Sequence, residues 1–567
     1  MEKEQVGLGT KIKRFFQRFE LKAEAPQSLL TAGLWQIIGT TIAALLNWLL
    51  LVIISRDDVG LGPSGIGIFN TTFAIICVFS ILTIGMGKST AQKVSENISD
   101  KAVAFEHARN GTFAAILMGI ILGSILITCS FVIGAPLSFQ ETNLSTILFI
   151  SGILMCVAGI RDGLLSNLAA VGEYDEIAIS YMLIPLTQFL TAIPFIFLIK
   201  TFSLPSSLIL IAYIFGIIVQ TFYLTKHFRH LWFNTQIFRF HKVNRQIFKI
   251  VRQGFYFSIT DIIPTGLLGS TLIIILLFFT QSNYEIVGAF SIITGYALGG
   301  LVVTGFAWPL ITSVAEAYGK KDTAKIKYYL HLMVKIFFYL TFLVLAIDIG
   351  LSYGILLVFH GPEYLAGSTD VWLPFILVFS AYAIASFEYI LCGILLGVGK
   401  GRSAAIYLGT TFLVTAGCAT LFLLLNLFSL PQLNLSFGFL IGLLIMLPFL
   451  PYLIKKHLEQ KIPFLIGLKS LAALLCTLLI AAVLLWPPLN LIPLNVLSIC
   501  LMGLLLIIIY VLLLIFFGAI SQEDFYLLER KAAEYGLKKS LDPILRFLRK
   551  LMRISPFCDF EKCIEPE

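Results

Sequence analysis

The stretch TIGMGKSTAQ, residues 83–92, decides how this chain is read. Its Gly87-Lys88-Ser89 matches the end of a phosphate-binding loop, in which backbone N–H groups cradle phosphates and the lysine reaches toward them. Such a loop needs a glycine five places before Gly87, where this chain has Leu82, and it needs a strand in front of it. Here a long apolar run leads into the glycines instead, so the stretch closes a helix. Gly85 and Gly87 are expected to let that helix pack or bend at its inner end. Lys88 is expected to anchor it at the cytoplasmic interface.

The whole chain has the same character. Of 567 residues, 58% are hydrophobic and 13% charged, against about 25% charged in a typical soluble domain. A soluble fold cannot cover that much apolar surface, whereas a bilayer can. The 48 Phe and 20 Tyr fit a lipid-facing protein with aromatic side chains near its interfaces. The opening MEKEQVGLGTKIKRFFQRFELKAE (1–24) is charged throughout, so the first span is expected to act as its own targeting signal. The net charge of +8 is read as basic loops on the inner face, not as a nucleic-acid partner. Cys77, Cys129, Cys156, Cys392, Cys418, Cys476 and Cys500 lie in apolar stretches as small hydrophobes. Cys558 and Cys563 fall short of the four ligands of a structural zinc site. No metal and no cofactor is expected.

A span needs about 20 apolar residues. Fourteen stretches qualify, at about 29–55, 65–87, 109–133, 145–170, 177–199, 206–225, 254–279, 286–315, 331–359, 371–397, 403–427, 435–454, 463–486 and 494–518. With both termini in the cytoplasm, the outer side carries only Arg56 and Lys200, Arg161 falls inside a span, and every other Lys and Arg lies inside. Dropping one span would destroy this asymmetry, so the positive-inside rule supports an even count and cytoplasmic termini. The outer connections are too short for an extramembrane catalytic domain, which argues against a membrane glycosyltransferase or polymerase. The basic, aromatic segment 226–253 reads as an amphipathic linker on the inner leaflet, and the tail from 519 as amphipathic surface helices.

The chain repeats itself. GLWQIIGTTIAALLNWLLLVIISRDDVGLGPSGIGIF begins at Gly33, and GFYFSITDIIPTGLLGSTLIIILLFFTQSNYEIVGAF begins at Gly254. Gly33 to Gly67 and Gly254 to Gly288 are both 34 residues. RDGLLSNLAAVGEY from Arg161 parallels EYILCGILLGVGKG from Glu388, with Gly172 and Gly399 each eleven residues after the charge. Transporters are often built from such repeats around a site near the midplane. The expected fold is an all-α polytopic membrane protein of 14 transmembrane helices, in two pseudo-symmetric six-helix lobes plus two C-terminal helices. Its parts are a cytoplasmic N-terminal arm (1–27), an N-lobe (28–225), the basic linker (226–253), a C-lobe (254–455), the two extra spans (456–518) and a cytoplasmic tail (519–567).

At this point the residues resemble a known group. VGLGPSGIGIFNTTFAIICVFSILTIGMGKSTAQKVSE (59–96) looks like the second-span signature of polysaccharide flippases. FHGPEYLAGSTDVWLPFILVFSAYAI (359–384) is similar to the turn before their tenth span, and SVAEAYGKKDTAKIKYYLHLMVKIFFYL (313–340) to their eighth-to-ninth connection. The family is the oligosaccharide-flippase (Wzx-type) branch of the multidrug/oligosaccharidyl-lipid/polysaccharide exporter superfamily. The resemblance implies a two-lobed, MATE/MurJ-like transporter of the cell membrane. Spans 1, 2, 7 and 8 would line a cavity that opens to each side in turn. The substrate it implies is a lipid-linked oligosaccharide or polysaccharide precursor. The alternative is a multidrug or organic-cation antiporter of the same fold. Fourteen spans favour the saccharide branch, since many drug exporters of this fold have twelve.

Several residues are candidates for the transport pathway. An ionisable group at a span centre costs at least ~2.5–3.5 kcal/mol and is a functional candidate by default. Arg161 lies about ten residues, or ~15 Å, from the inner end of its span. A cation there suits a lipid diphosphate or acidic sugar, and the competing role is a buried ion pair. Adjacent helix residues do not face each other, which makes Glu388 a better expected partner than Asp162. Gly254, Ser258, Asp261 and Thr265 form one polar stripe, and Gln36, Thr40 and Asn47 a second. Each stripe would either face the cavity or hydrogen-bond between helices. Asp348 and Glu388 are candidates to carry a coupling H+ or Na+, or to stay protonated in the membrane. GIILG (119–123), GYALG (295–299), GLSYG (350–354) and GILLG (393–397) are GxxxG patterns that let helices approach closely. Membrane lipids complete the expected partners.

Overall fold

The computed structural model describes residues 29–56, 60–98, 100–132, 144–204, 209–228, 245–261, 268–280, 283–300, 306–485 and 495–521, and in the tail 524, 525, 529, 542, 543 and 545–550. The described residues form seventeen α-helices and no strand. In chain order these are α1 (Leu29–Ser55), α2 (Gly62–Glu96), α3 (Lys101–Val132), α4 (Leu144–Val171), α5 (Tyr174–Phe202), α6 (Leu210–Phe228), α7 (Arg245–Asp261), α8 (Leu268–Phe279) and α9 (Tyr284–Gly300). They continue with α10 (Ala307–Gly319), α11 (Thr323–Ile355), α12 (Trp372–Gly397), α13 (Gly401–Leu425), α14 (Pro431–Met446), α15 (Phe449–Leu458), α16 (Phe464–Leu485) and α17 (Val496–Phe516). Ten helical stretches among the described residues are long and apolar enough to cross a membrane, where the sequence leads one to expect fourteen spans. Of the seventh and eighth expected spans, residues 262–267 and 301–305 lie outside the described residues, and the described parts are α7, α8, α9 and α10, with Ser270–Phe279 and Glu285–Tyr296 as shorter apolar helices. The arm 1–27, residues 229–244 of the linker and both tail cysteines lie outside the described residues; 245–253 are the first turns of α7.

The two halves pack by one plan. In the first, α4 sits centrally against α2, α3 and α6, while α1 packs on α5 and α5 on α6. In the second, α12 sits against α9, α10, α11 and α14, while α7 packs on α13 and α13 on α14. α16 and α17 pack on each other and on α11. The two central helices also end alike. Gly172 after α4 has φ +90° and Gly399 after α12 has φ +76°, a left-handed conformation that glycine adopts without a Cβ penalty. The following N–H reaches back five residues in both cases, from Glu173 to Leu168 O at 3.1 Å and from Lys400 to Leu395 O at 2.8 Å. The equivalence of Arg161 and Glu388 in sequence is therefore an equivalence of place, each on the central helix of its half.

α2 joins the halves. Its 35 residues span about 52 Å at 1.5 Å per residue, more than the ~30 Å hydrocarbon core. Pro63 stands in its first turn, where the missing N–H costs nothing. Beyond α1, α3 and α4 of its own half, α2 touches α7, α8, α9 and α10 of the other.

Candidate functional site

The stretch 83–92 lies in the C-terminal half of α2, toward the end that the charge distribution leads one to expect inside, in the seam between the halves. A Cβ on Gly85 would lie 2.1 Å from Ser258 Oγ, and one on Gly254 would lie 2.3 Å from Met86 Sδ. The repeat partner of Gly254 does the same in mirror fashion: a Cβ on Gly33 would lie 1.9 Å from Phe306. The matching glycines that reveal the repeat are thus the seats where each half receives a side chain of the other.

Lys88 corrects the sequence reading. It does not reach the cytoplasmic interface but is 3% exposed, with its Nζ donating to the Tyr389 hydroxyl on α12 and lying 5.1 Å from that ring's centroid. The reason is that α2 runs on to Glu96, so Lys88 is not at the helix end but on a stretch, Met86–Ser95, that is largely buried between the halves. One turn on, Gln92 Nε2 donates to Leu396 O of α12 at 2.8 Å, and Gln253 of α7 donates to Gln92 Oε1. Ser89 Oγ donates to Ile250 O of α7 at 3.4 Å, and Tyr174 pairs with Thr312 of α10 at 2.6 Å. Beside that last contact, burial pushes the Glu173 carboxyl up from its usual range, and the carboxylates of Asp175 and Glu176 add to the shift. These contacts close the seam at the inner end.

A second set closes it at the outer end. Asn70 Nδ2 of α2 donates to Ser291 Oγ of α9 at 2.8 Å, and a Cβ on Gly288 would lie 1.9 Å from Pro63 O. On α1, Trp48 Nε1 donates to the Tyr296 hydroxyl of α9, and Ser55 Oγ meets His360 Nδ1 at 2.8 Å. His360 ends a single π-helical turn, Leu356–His360, that extends α11. Its Nε2 lies 2.9 Å from the Tyr296 hydroxyl, and Tyr364 donates to Ser55 O at 3.3 Å. Sequence reading missed Trp48, Tyr296 and His360. FHGPEY reads there only as a turn, although a histidine and a tyrosine bracketing a glycine were the signal to ask about.

A further polar group lies on α4 where it meets α2. Arg161 donates through Nε to Asp162 Oδ1 at 2.8 Å, and its Nη2 lies 2.7 Å from the same oxygen. Asp162 Oδ2 accepts from Thr83 Oγ1 of α2 at 2.6 Å. Arg161, Ser270 of α8 and Tyr382 of α12 lie near Cys77 on α2. Tyr382 is 2% exposed and its hydroxyl has no hydrogen-bond partner among the described residues. A Cβ on Gly87 would lie 3.0 Å from Asp162 O, so this polar group adjoins the inner set of contacts.

This arrangement overturns the expected pairing of Arg161 with Glu388. The long guanidinium arm folds back onto its neighbour, so a pair of adjacent residues forms despite their pointing in different directions from the helix. Glu388 is fully buried and accepts from the Tyr407 hydroxyl of α13 at 2.9 Å, inside its own half. That hydroxyl also lies 3.2 Å from Met446 O, and Glu388 Oε2 has no hydrogen-bond partner among the described residues. Ser258 is buried, donating to Gly254 O at 2.9 Å, and it stands in the inner seam. Asp261 is the last residue of α7, with its side chain outside the described residues, and Thr265 lies outside them altogether. The stripe Gln36, Thr40, Asn47 is not one environment: Gln36 is buried, Thr40 donates to Gln36 O within α1, and Asn47 is exposed. Asp348, on α11, is half-buried and acts electrostatically on Tyr296.

No protein-family model and no curated protein matches the chain. Solved structures do. A MATE transporter in complex with MaD3S aligns with a TM-score of 0.62 at 16% identity, over 76% of this chain and 97% of that one. An outward-facing multidrug resistance MATE transporter of the MOP superfamily aligns at 0.58 and 17%, over 81% and 98%. A MOP superfamily transporter from Pyrococcus furiosus, described as having a binding pocket of reverse polarity that suggests a different function, aligns at 0.60 and 15%, over 77% and 98%. The chain is a multi-pass membrane protein with the fold of these transporters.

Proposed function

We propose that this chain, folded as the MATE transporters are, moves an amphiphile with an anionic head group across the cell membrane by alternating access along the seam. The substrate class we infer is a lipid-linked oligosaccharide or polysaccharide precursor. One observation carries the reading: a cationic side chain, Arg161, paired with Asp162, stands on the central helix of its half where that helix meets α2, in a seam that polar contacts join at both ends. A lipid diphosphate or acidic sugar would compete with Asp162 for the guanidinium, whose planar fork suits phosphate and carboxylate. Ser270 and Tyr382, both near Cys77 on α2, supply further hydrogen-bonding groups in that part of the seam. The reverse-polarity pocket reported for one structural neighbour supports the idea that this fold accommodates pockets of either sign. In this reading both termini are cytoplasmic, and Glu388 or Asp348 takes up the coupling H+ or Na+.

The second reading, an organic-cation antiporter, is favoured by the buried carboxyl of Glu388 and by the multidrug neighbours. One experiment separates them. The purified chain in vesicles is offered a fluorescent lipid diphosphate bearing a short saccharide, and separately ethidium. Protein-dependent flipping of the first with no uptake of the second is the expected result. Ethidium uptake without flipping would establish the antiporter reading instead.

A further inference from the structure

The outer contacts form a hydrogen-bond chain whose direction is fixed by chemistry. Trp48 Nε1–H can only donate, so the Tyr296 oxygen accepts from it. Among the described residues, the only acceptor for the Tyr296 proton is His360 Nε2, at 2.9 Å. Nε2 therefore carries no proton, and the neutral ring must carry its proton on Nδ1. Nδ1–H then donates to Ser55 Oγ at 2.8 Å, and the Ser55 hydroxyl donates to Val52 O at 3.1 Å. Ser55 is fully buried and His360 is 2% exposed. The chain runs from α1 to α9, on to the turn after α11, and back to α1, and it ties the two halves together.

A second proton has no place in this arrangement. It would have to enter at Nε2, turning that atom into a donor aimed at the Tyr296 oxygen. Tyr296 would then hold two incoming donors and a proton of its own with no acceptor. Of the titratable and charged groups, Tyr296 on α9 and Tyr364 in the following turn meet the ring, Asp348 on α11 acts on Tyr296, Glu363 packs against the neighbouring Gly361, and Arg56 follows Ser55 in sequence. No carboxylate forms an ion pair with His360 among the described residues, so a buried imidazolium there would be uncompensated.

We propose that His360 is a proton-binding site whose occupation opens the outer end of the seam. The closed state takes the neutral ring only, and the open state, with the ring in water, takes the proton. By linkage the closed state is favoured at high pH, and opening sets in as pH falls below the ordinary imidazole value of about 6.5. The inference rests on the network alone and holds whatever the chain transports.

The test is hydrogen–deuterium exchange on the full-length protein in lipid nanodiscs at pH 7.5 and pH 5.0, corrected for the intrinsic pH dependence of exchange. We expect segments 48–61 and 356–371 to exchange at least about fivefold faster at pH 5.0, as local opening raises exchange. His360→Gln, which keeps one donor and one acceptor but cannot be charged, should exchange alike at both pH values. Tyr296→Phe, which removes the donor to Nε2, should exchange fast at both. No acceleration in the native chain, or the same acceleration in His360→Gln, overturns the proposal. Loss of the acceleration in Asp348→Asn but not in His360→Gln would overturn it in favour of Asp348.

Discussion

Replacing Arg161 by alanine and Asp162 by asparagine together is expected to abolish transport while the protein still inserts and folds. The pair must change together. Arg161→Ala alone leaves the Asp162 carboxylate buried beside a single Thr83 hydroxyl, and breaking a buried pair from one side costs about 3–5 kcal/mol. Loss of function in that variant would say nothing about substrate. In the double variant the introduced amide oxygen still accepts from Thr83, and no charge is stranded. If flipping of the lipid-linked saccharide falls to background, the cation is needed by the substrate. If the double variant transports normally, Arg161 serves only to neutralise Asp162. Exchanging the charges of Arg161 and Glu388 should rescue nothing, since each is held inside its own half.

The second large effect is expected at Lys88. Lys88→Met keeps the bulk of the side chain and removes a charged hydrogen bond across the inner seam. Hydrogen bonds to charged groups are worth about 1.5–3 kcal/mol, so the ratio of closed to open inner seam should fall roughly ten- to hundredfold. Ser89 is fully buried one residue away and provides the reporter. Ser89→Cys should resist a membrane-impermeant maleimide in inside-out vesicles and label at least about tenfold faster when Lys88→Met is added. The modified residue is located by peptide mass spectrometry, so the native cysteines can stay. Equal labelling in the two backgrounds would mean that Lys88 does not hold the seam shut.

The membrane class, the helical fold and the repeat were legible because each is written as a period or a spacing. Gly33 and Gly254 could be matched by counting, and they prove to be where the halves meet. Gly172 and Gly399 could be matched too, and both take the same left-handed turn. What counting could not give is which face of a helix meets which neighbour. Lys88 reads as an interfacial anchor because basic residues near span ends usually are, but here the span runs on to Glu96 and its last turns are buried in the seam. Arg161 reads as lacking a local partner because neighbours on a helix diverge at Cβ, and an arginine long enough to fold back escapes that rule. His360 was legible in the sequence only as a histidine beside Gly361 and Tyr364. Its meaning comes from Trp48 and Ser55, some three hundred residues earlier.

The central claim is that the seam is the moving part, and locking it is the most direct test. Asn70 and Ser291 meet across the outer end, so Asn70→Cys with Ser291→Cys can form a bridge between the halves. The measurement is flipping of the lipid-linked saccharide by that variant in vesicles, oxidised and then reduced. The account predicts transport at background while the bridge is closed and recovery when it is reduced. Undiminished transport through a fully bridged protein would contradict it.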